Sequence, residues 1–279
     1  MKLFGVVGNP VKHSISPKLH QFWYDQLELD ARYVALEMSA DSPIDDLRGL
    51  ARSGFSGLNI TLPYKTEALA CAAEVSSNAR KIGAANTLTR NDSVSGKALW
   101  KAHNTDITGF LWSLDQFGPT ETEEAVLIGA GGAARAVAAG LNERGYRLII
   151  LNRTIERAVE MAEDLKLTRA RVFPLEALSD FAAESQLVIN TISLGHSGGS
   201  LDLPKNEGAA FVDISYGAAV EATLENARQA GWRVLDGLPM LVGQAADAFK
   251  LWFDINPDRI AALKACREWT GTQETLQLD

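Results

Sequence analysis

Ala125-Val126-Leu127-Ile128-Gly129-Ala130-Gly131-Gly132-Ala133-Ala134 is the stretch on which the fold turns. Four apolar residues bounded by glycine read as a short buried strand, and the small residues that follow open a helical pattern. The join fits G-x-G-x-x-[GA] between a strand and a helix, the context that a dinucleotide fingerprint needs. Small residues let the backbone approach a pyrophosphate. Free N–H groups at the helix start, near Gly131 to Ala134, offer hydrogen bonds and the positive end of the helix dipole. The ligand expected on Gly129, Ala130, Gly131, Gly132 and Ala133 is therefore anionic. A plain Gly-rich turn would carry the glycines without that flanking pattern.

Downstream, further apolar runs read as strands at Leu148–Leu151, Arg171–Phe173, Leu187–Asn190, Phe211–Ile214 and Trp232–Leu235, with helices between most of them. That order predicts a doubly wound Rossmann sheet. About 20 residues after the first glycine, where an NAD enzyme places a carboxylate on the ribose 2′-hydroxyl, stands Asn152-Arg153-Thr154. A carboxylate would repel a 2′-phosphate, whereas Arg153 can form a charge-assisted contact to one and Thr154 can add its hydroxyl. NADP is favoured over NAD. Arg157, one helical turn on, can reach the same phosphate or simply form a solvated helix face.

Upstream, strands at Leu3–Gly8, Tyr33–Met38 and Gly57–Thr61 alternate with helices at Pro17–Leu27, Ser42–Arg52 and Lys65–Ala73. Two more strands, Asn86–Arg90 and Ala98–His103, flank an Asn91-Asp92-Ser93 turn, and a helix over Thr105–Phe117 follows. The pattern is that of a mostly parallel sheet covered by helices, so the class is α/β. A Gly118-Pro119 break separates this module from the dinucleotide module. Helices at Leu238–Phe253 and Pro257–Trp269, which a Rossmann module does not need, are expected to return to the first module. The expected domains are 1–103 for substrate and catalysis, 104–237 for the dinucleotide with its connecting helix, and 238–279 for the returning helices.

The whole chain bounds its function class. Its 279 residues exceed one ordinary core, and 46% hydrophobic with 22% charged residues excludes disorder. A net charge of −8 without a Lys/Arg cluster opposes nucleic acid. No apolar run suits a membrane span and no leader precedes the first strand, so a cytoplasmic location is expected. Cys71 and Cys266 lack ligand spacing, as do His13, His20, His103 and His196, so no metal is expected.

Three polar constellations sit where first-module strands run into loops, the usual ligand position in α/β proteins. In Gly8-Asn9-Pro10-Val11-Lys12-His13-Ser14-Ile15-Ser16-Pro17, helix capping accounts for Ser16 but not for Ser14. In Asn59-Ile60-Thr61-Leu62-Pro63-Tyr64-Lys65, Asn59 and Thr61 point one way along a strand. Lys65 then opposes the dipole of the helix it opens, which a site explains better than solvation does. The third joins Asn86, in Gly83-Ala84-Ala85-Asn86-Thr87, with Asn104-Thr105-Asp106 at a helix start, where Asp is also a routine first-turn residue.

Together these residues resemble the shikimate dehydrogenase family, whose patterns GNPxxHSxSPxxH, GxNxTxPxK, IGAxNTL, NTDxxGF, GAGGAxRA and NRT occur here in one order. The resemblance implies a substrate domain, a Rossmann NADP domain and returning helices. It implies Lys65 and Asp106 as the catalytic pair, and Ser14, Ser16, Asn59, Thr61 and Asn86 around the substrate, with Tyr216 and Gln244 completing the set. Gln244 closes a Gly237-to-Gln244 segment similar to the family's GxxMLxxQ, and cofactor contacts extend to Ile214, Gly237 and Met240. The implied activity is reversible NADPH-dependent reduction of 3-dehydroshikimate to shikimate, in the route to chorismate and aromatic amino acids. Small molecules are the implied partners, and oligomeric state stays open between monomer and homodimer. Three departures stand beside the expected substrate site: Ala102 and Ile107 replace glycines around NTD, and Gly217-Ala218-Ala219-Val220 lacks the customary proline. They keep open a paralogue acting on quinate or a related analogue. A reading from another class is a catalytically silent NADP-sensing or scaffold protein on the same fold.

Overall fold

In a computed structural model of the chain, which describes residues 1–39, 41–91, 100–118, 122–192 and 201–272, the decisive stretch forms the strand Glu124–Ile128 and the helix Gly132–Glu143. Most of the Asn91-Asp92-Ser93 turn, Pro119 and His196 lie outside the described residues.

In chain order the first elements are β1 (Lys2–Gly8), α1 (Ser16–Gln26), β2 (Ala31–Glu37), α2 (Pro43–Arg52), β3 (Phe55–Ile60), α3 (Lys65–Cys71), β4 (Glu74–Val75), α4 (Ser77–Ile82), β5 (Thr87–Arg90), β6 (Trp100–His103) and α5 (Asp106–Phe117). There follow β7 (Glu124–Ile128), α6 (Gly132–Glu143), β8 (Arg147–Asn152), α7 (Ile155–Asp164), β9 (Arg171–Pro174), α8 (Leu178–Glu184), β10 (Leu187–Asn190), β11 (Ala210–Asp213), α9 (Glu221–Gln229), β12 (Arg233–Leu235), α10 (Leu238–Phe253) and α11 (Arg259–Thr270). Packing divides the chain into two units, Met1–Gly109 with Val242–Ala262, and Phe110–Leu241 with Leu263–Asp279.

The first unit holds a six-stranded sheet in the order β2-β1-β3-β5-β6-β4. It is more mixed than the sequence pattern suggests. β1 runs parallel to β2 and β3, and β4 to β6, but β5 is antiparallel to both β3 and β6. Only residues 91–99 separate β5 from β6, fewer than the dozen or so that a parallel crossover requires. β4 and α4 also go beyond the sequence reading. α4 is capped by Ser76, whose hydroxyl accepts from the Ala79 amide, and closes on a left-handed Gly83.

Strand alternation gives this sheet two apolar faces. One set gathers Val7, Leu58 and Trp100 with Leu47 and Ala51 of α2 and Ala68 and Cys71 of α3. On the other side Phe4 meets Tyr24, Trp252 and Phe253, so α1 and α10 share an aromatic layer. Burying such a side chain contributes roughly 1.5–3 kcal/mol. The Trp252 indole also donates to Leu88 O at 3.1 Å and Trp23 to Asp258 O at 3.0 Å, so the polar edge of each ring is satisfied.

The second unit is a six-stranded sheet in the order β12-β11-β10-β7-β8-β9 with every pairing parallel. This is the doubly wound order, and β7 and β10 flank the point where it reverses. Val126, Ile128, Ile149, Leu151, Val188 and Phe211 line its core with Leu178, Leu224 and Ala227 from the helices. Inside this unit, α11's Arg267 makes a buried ion pair with Asp236.

Candidate active site

In the first unit, the third sequence constellation closes on the second. Lys65 opens α3 and Asp106 opens α5. Lys65 Nζ lies 2.6 Å from Asp106 Oδ2, with the two side chains only 14% and 7% exposed. The carboxylate offsets what the cation loses by standing at a helix N-terminus, and removing one partner of so buried a pair costs about 3–5 kcal/mol. The other carboxylate oxygen accepts from Asn86 Nδ2 at 2.8 Å. That amide group also reaches Thr105 Oγ1 at 3.0 Å and Gln244 Oε1 at 3.4 Å, so its two protons are shared among three acceptors. Asn86 Oδ1 accepts from the Thr105 amide at 2.8 Å, and Asn104 Oδ1 accepts from the Asp106 amide at 2.9 Å. The start of α5 is thus held by side chains from two loops.

At the start of α1 the hydroxyl that meets a helix amide is that of Ser14, not the Ser16 hydroxyl that capping could have explained. Ser16 is the first residue of α1 and makes no capping bond, whereas Ser14 Oγ accepts from the Ser16 amide at 3.2 Å. Ser14 stays half-buried and Ser16 is 6% exposed. Thr61 follows β3, half-buried, its amide donating to Val7 O. Asn59 is buried and bonded to Tyr33, Asn86 and Thr87.

The second unit carries the dinucleotide motif. Gly129 has φ +111°, and a Cβ there would lie 2.4 Å from Thr191 Oγ1, so a side chain is excluded by both conformation and space. Gly131 is the N-cap of α6 with no side-chain capping bond, and a Cβ built on it would meet nothing within 4 Å. The Gly132, Ala133 and Ala134 amides therefore stand at an uncapped helix start under open space, which fits a pyrophosphate. Ala130 lies in the same turn. At the end of β8, Asn152 Nδ2 donates to Thr154 O at 2.7 Å and shapes the entry to α7. Arg153 and Arg157 are exposed and make no ion pair among the described residues. Two free guanidiniums without a carboxylate at 152–154 fit a 2′-phosphate.

Ile214 and Tyr216 are half-buried beyond β11, Met240 is 8% exposed, and the Gly237 amide donates to Ser215 O. Asp213 shapes this turn by accepting from Asn190 Nδ2 at 2.6 Å and from the Ser215 amide at 2.8 Å. Burial raises its pKa, and those two bonds oppose the rise.

The remaining titratable groups lie elsewhere. Cys71 and Cys266 are buried and, among the described residues, in no disulfide, and burial pushes the Cys71 thiol up to about 12. Burial drives His20 down to about 3, opposed by the neighbouring Asn59 side chain, though neither ring nitrogen meets hydrogen-bond geometry with a partner. Among the described residues no group of three His, Cys, Asp or Glu is arranged to hold a metal. No helix among them is long and apolar enough to cross a membrane.

Residues that the sequence reading left without a role are Tyr33, Thr87, Asn104 and Thr105, all in hydrogen bonds around Asn59, Asn86 and Asp106. Thr87, Asn104 and Thr105 adjoin singled-out residues and were within reach of a local signal. Tyr33 had none.

Comparison with known proteins places the chain among relatives of one family. Residues 6–88 match a family model described as the shikimate dehydrogenase substrate binding domain, 113–239 one described as shikimate / quinate 5-dehydrogenase, and 237–267 one described as the shikimate 5′-dehydrogenase C-terminal domain. A shikimate dehydrogenase (NADP(+)) of Hyphomonas neptunium is 47% identical over 268 residues, covering 95% of this chain and 97% of that protein. The shikimate 5-dehydrogenase of Thermus thermophilus in complex with shikimate superposes with a TM-score of 0.83 at 37% identity, covering 98% of this chain and 100% of that one. Its complex with NADP(H) and shikimate gives 0.82 at 36%, covering 96% and 99%. With the fold, the motifs and these relatives in agreement, the chain belongs to the shikimate dehydrogenase family.

Proposed function

We propose that the chain catalyses the reversible NADPH-dependent reduction of 3-dehydroshikimate to shikimate, a step towards chorismate and the aromatic amino acids, in the cytoplasm. The observation that carries this reading is the Lys65–Asp106 pair, 2.6 Å apart and oriented by Asn86. Relatives named for this activity with NADP(+) support it.

The Gly129–Ala133 turn would hold the NADPH pyrophosphate, and the cofactor would supply the hydride for the ring ketone. Lys65 Nζ donates a proton to the ketone oxygen as negative charge develops there, so the C=O becomes a C–OH and no free alkoxide forms. Asp106 holds Lys65 Nζ in place, and the two act as a unit whose energies do not add. Ser14, Ser16, Thr61 and Asn86, with Tyr216 and Gln244, hold substrate hydroxyls and carboxylate. Asn152, Arg153, Thr154 and Arg157 hold the 2′-phosphate end, and Ile214, Gly237 and Met240 line the rest of the cofactor site. We assign substrate work to 1–103 with Asp106, cofactor work to 104–237, and closure of the substrate set by Gln244 to 238–279.

Two departures that kept a quinate paralogue open are packing residues. Ala102 and Ile107 are 0% and 1% exposed and present no polar group to a ring. Steady-state assays with shikimate and quinate against NADP⁺ and NAD⁺ test the reading. Shikimate with NADP⁺ should give by far the highest kcat/KM. Preference for quinate would favour the paralogue, and cofactor binding without turnover would favour the silent sensor.

A further inference from the structure

Asn59 has no amide proton to spare for a ligand. One Nδ2 proton is directed at Asn86 O at 3.3 Å and the other at Thr87 Oγ1 at 3.1 Å, while Oδ1 accepts from the Tyr33 hydroxyl at 2.8 Å. A backbone carbonyl can only accept, so this is the one orientation of the amide that satisfies both ends. Thr87 Oγ1, accepting from Asn59, sends its own proton to Asn86 Oδ1 at 3.0 Å. The Thr105 amide donates to the same oxygen, which turns the Asn86 NH2 towards Asp106 Oδ1 and leaves Oδ2 for Lys65.

Every link runs donor to acceptor in one direction, from Tyr33 through Asn59, Thr87 and Asn86 to Asp106. Tyr33 and Asn59 are 6% exposed, Thr87 0%, Asn86 2% and Asp106 5%, so the chain is largely shielded from water that would replace a missing member. At the far end His20 stacks on Tyr33 with centroids 4.3 Å apart and planes 5° from parallel, which fixes the ring that donates the first proton. In a buried network, each bond polarises the next and an unmade one is costly.

We propose that Tyr33, Asn59 and Thr87 form a positioning chain that locks the Asn86 amide and, through it, the Asp106 carboxylate that holds Lys65, so that Asn59 serves the reaction through Thr87 and not by gripping substrate. This rests on the reading of Lys65 as the proton donor. A substrate ligand and a positioning residue separate in kinetics. Losing a ligand common to ground and transition states raises KM, whereas losing alignment of the proton donor lowers kcat.

The test is steady-state kinetics with shikimate and NADP⁺ on Thr87→Val, which exchanges the hydroxyl for a methyl group at constant volume, with Thr87→Ser, Tyr33→Phe, their valine–phenylalanine double variant and Lys65→Ala alongside. Thr87→Val should lose about tenfold in kcat, the worth of one net hydrogen bond, with the KM for shikimate within about twofold of wild type. Thr87→Ser should restore kcat. Tyr33→Phe should lower kcat less, and the double variant should be no worse than Thr87→Val, because a broken chain cannot be broken twice. Wild-type kcat in Thr87→Val, a rise in KM without a fall in kcat, or additive losses would overturn the chain. Should Thr87→Val not fold, the kcat-to-KM split in Tyr33→Phe decides in the same way. Near-normal turnover in Lys65→Ala would instead sink the reading beneath the proposal, whereas an inactive Lys65→Ala beside a fully active Thr87→Val sinks the chain alone.

Discussion

Gly109→Ala sets two well-understood effects against each other. Gly109 lies inside α5, three residues after Asp106, and by helix propensity alone alanine should stabilise it by about 1 kcal/mol. The added Cβ, however, would stand 2.6 Å from the backbone nitrogen of Gln244, 2.7 Å from its Cβ and 2.9 Å from its Cα. Carbon contacts rest at roughly 3.5–4.0 Å, so the overlap approaches an ångström, and none of the three atoms can escape by a rotamer change. α10 must move as a body. Overpacking of this kind costs about 1–3 kcal/mol, and a contact made wholly with and beside backbone belongs in the upper part of that range. The net expectation is a destabilisation of about 1–2 kcal/mol, or a fall in Tm of very roughly 2–8 °C for a chain of this size. Gln244 already sits 3.4 Å from Asn86 Nδ2, at the limit of a hydrogen bond, so the displacement should break that contact and raise the KM for shikimate. Thermal and urea unfolding, with KM measured on the same preparations, test both. A variant at least as stable as wild type would show that propensity wins and that the close approach is not a constraint.

Three further outcomes follow from the site and the core. Lys65→Ala should lower turnover by roughly 10² to 10⁴ with a smaller change in substrate affinity, and a folded variant of near-normal rate would remove Lys65 from catalysis. Arg153→Ala should weaken NADPH binding by roughly tenfold to 150-fold and leave NADH binding almost unchanged, as read by direct titration; equal weakening of both would misplace the phosphate site. His20, whose pKa falls from 6.5 to about 3 on folding, binds fewer protons in the folded than in the unfolded chain between those values. Its contribution is complete above about pH 6.5 and is lost as pH falls towards 3, the loss amounting to about 2 kcal/mol by pH 5. His20→Leu should therefore flatten the loss of stability between pH 7.5 and 5, and an unchanged slope in urea titrations would refute the assignment.

Local chemistry makes most elements legible in the chain itself. Ser76 and Gly83 flank α4 with a cap and a left-handed stop, a signal present in the sequence but attached to a helix of six residues, too short to show a period. β4 is two residues long and exists because Lys101 and Ala102 of β6 pair with it, so no local reading reaches it. The same holds for the antiparallel setting of β5, which depends on how few residues lead to β6. Ser14 and Ser16 show the limit at the site: composition named both, but only backbone geometry says which hydroxyl meets the helix amide.

The sequence alone determined the α/β class and the Rossmann turn, led to the expectation of a phosphate in place of a ribose hydroxyl at Asn152–Thr154, and singled out Lys65, Asn86 and Asp106. Each of these is written in spacing: a period, a glycine pattern, or an absent carboxylate at a set distance. Only the tertiary structure decided that Lys65 and Asp106, 41 residues apart, lie within 2.6 Å. It alone joined Tyr33 and Thr87 to them, and it alone set Gln244 against Gly109. Hydrogen-bond direction and close packing depend on which loops the sheet order brings together, and one-dimensional spacing carries no record of that.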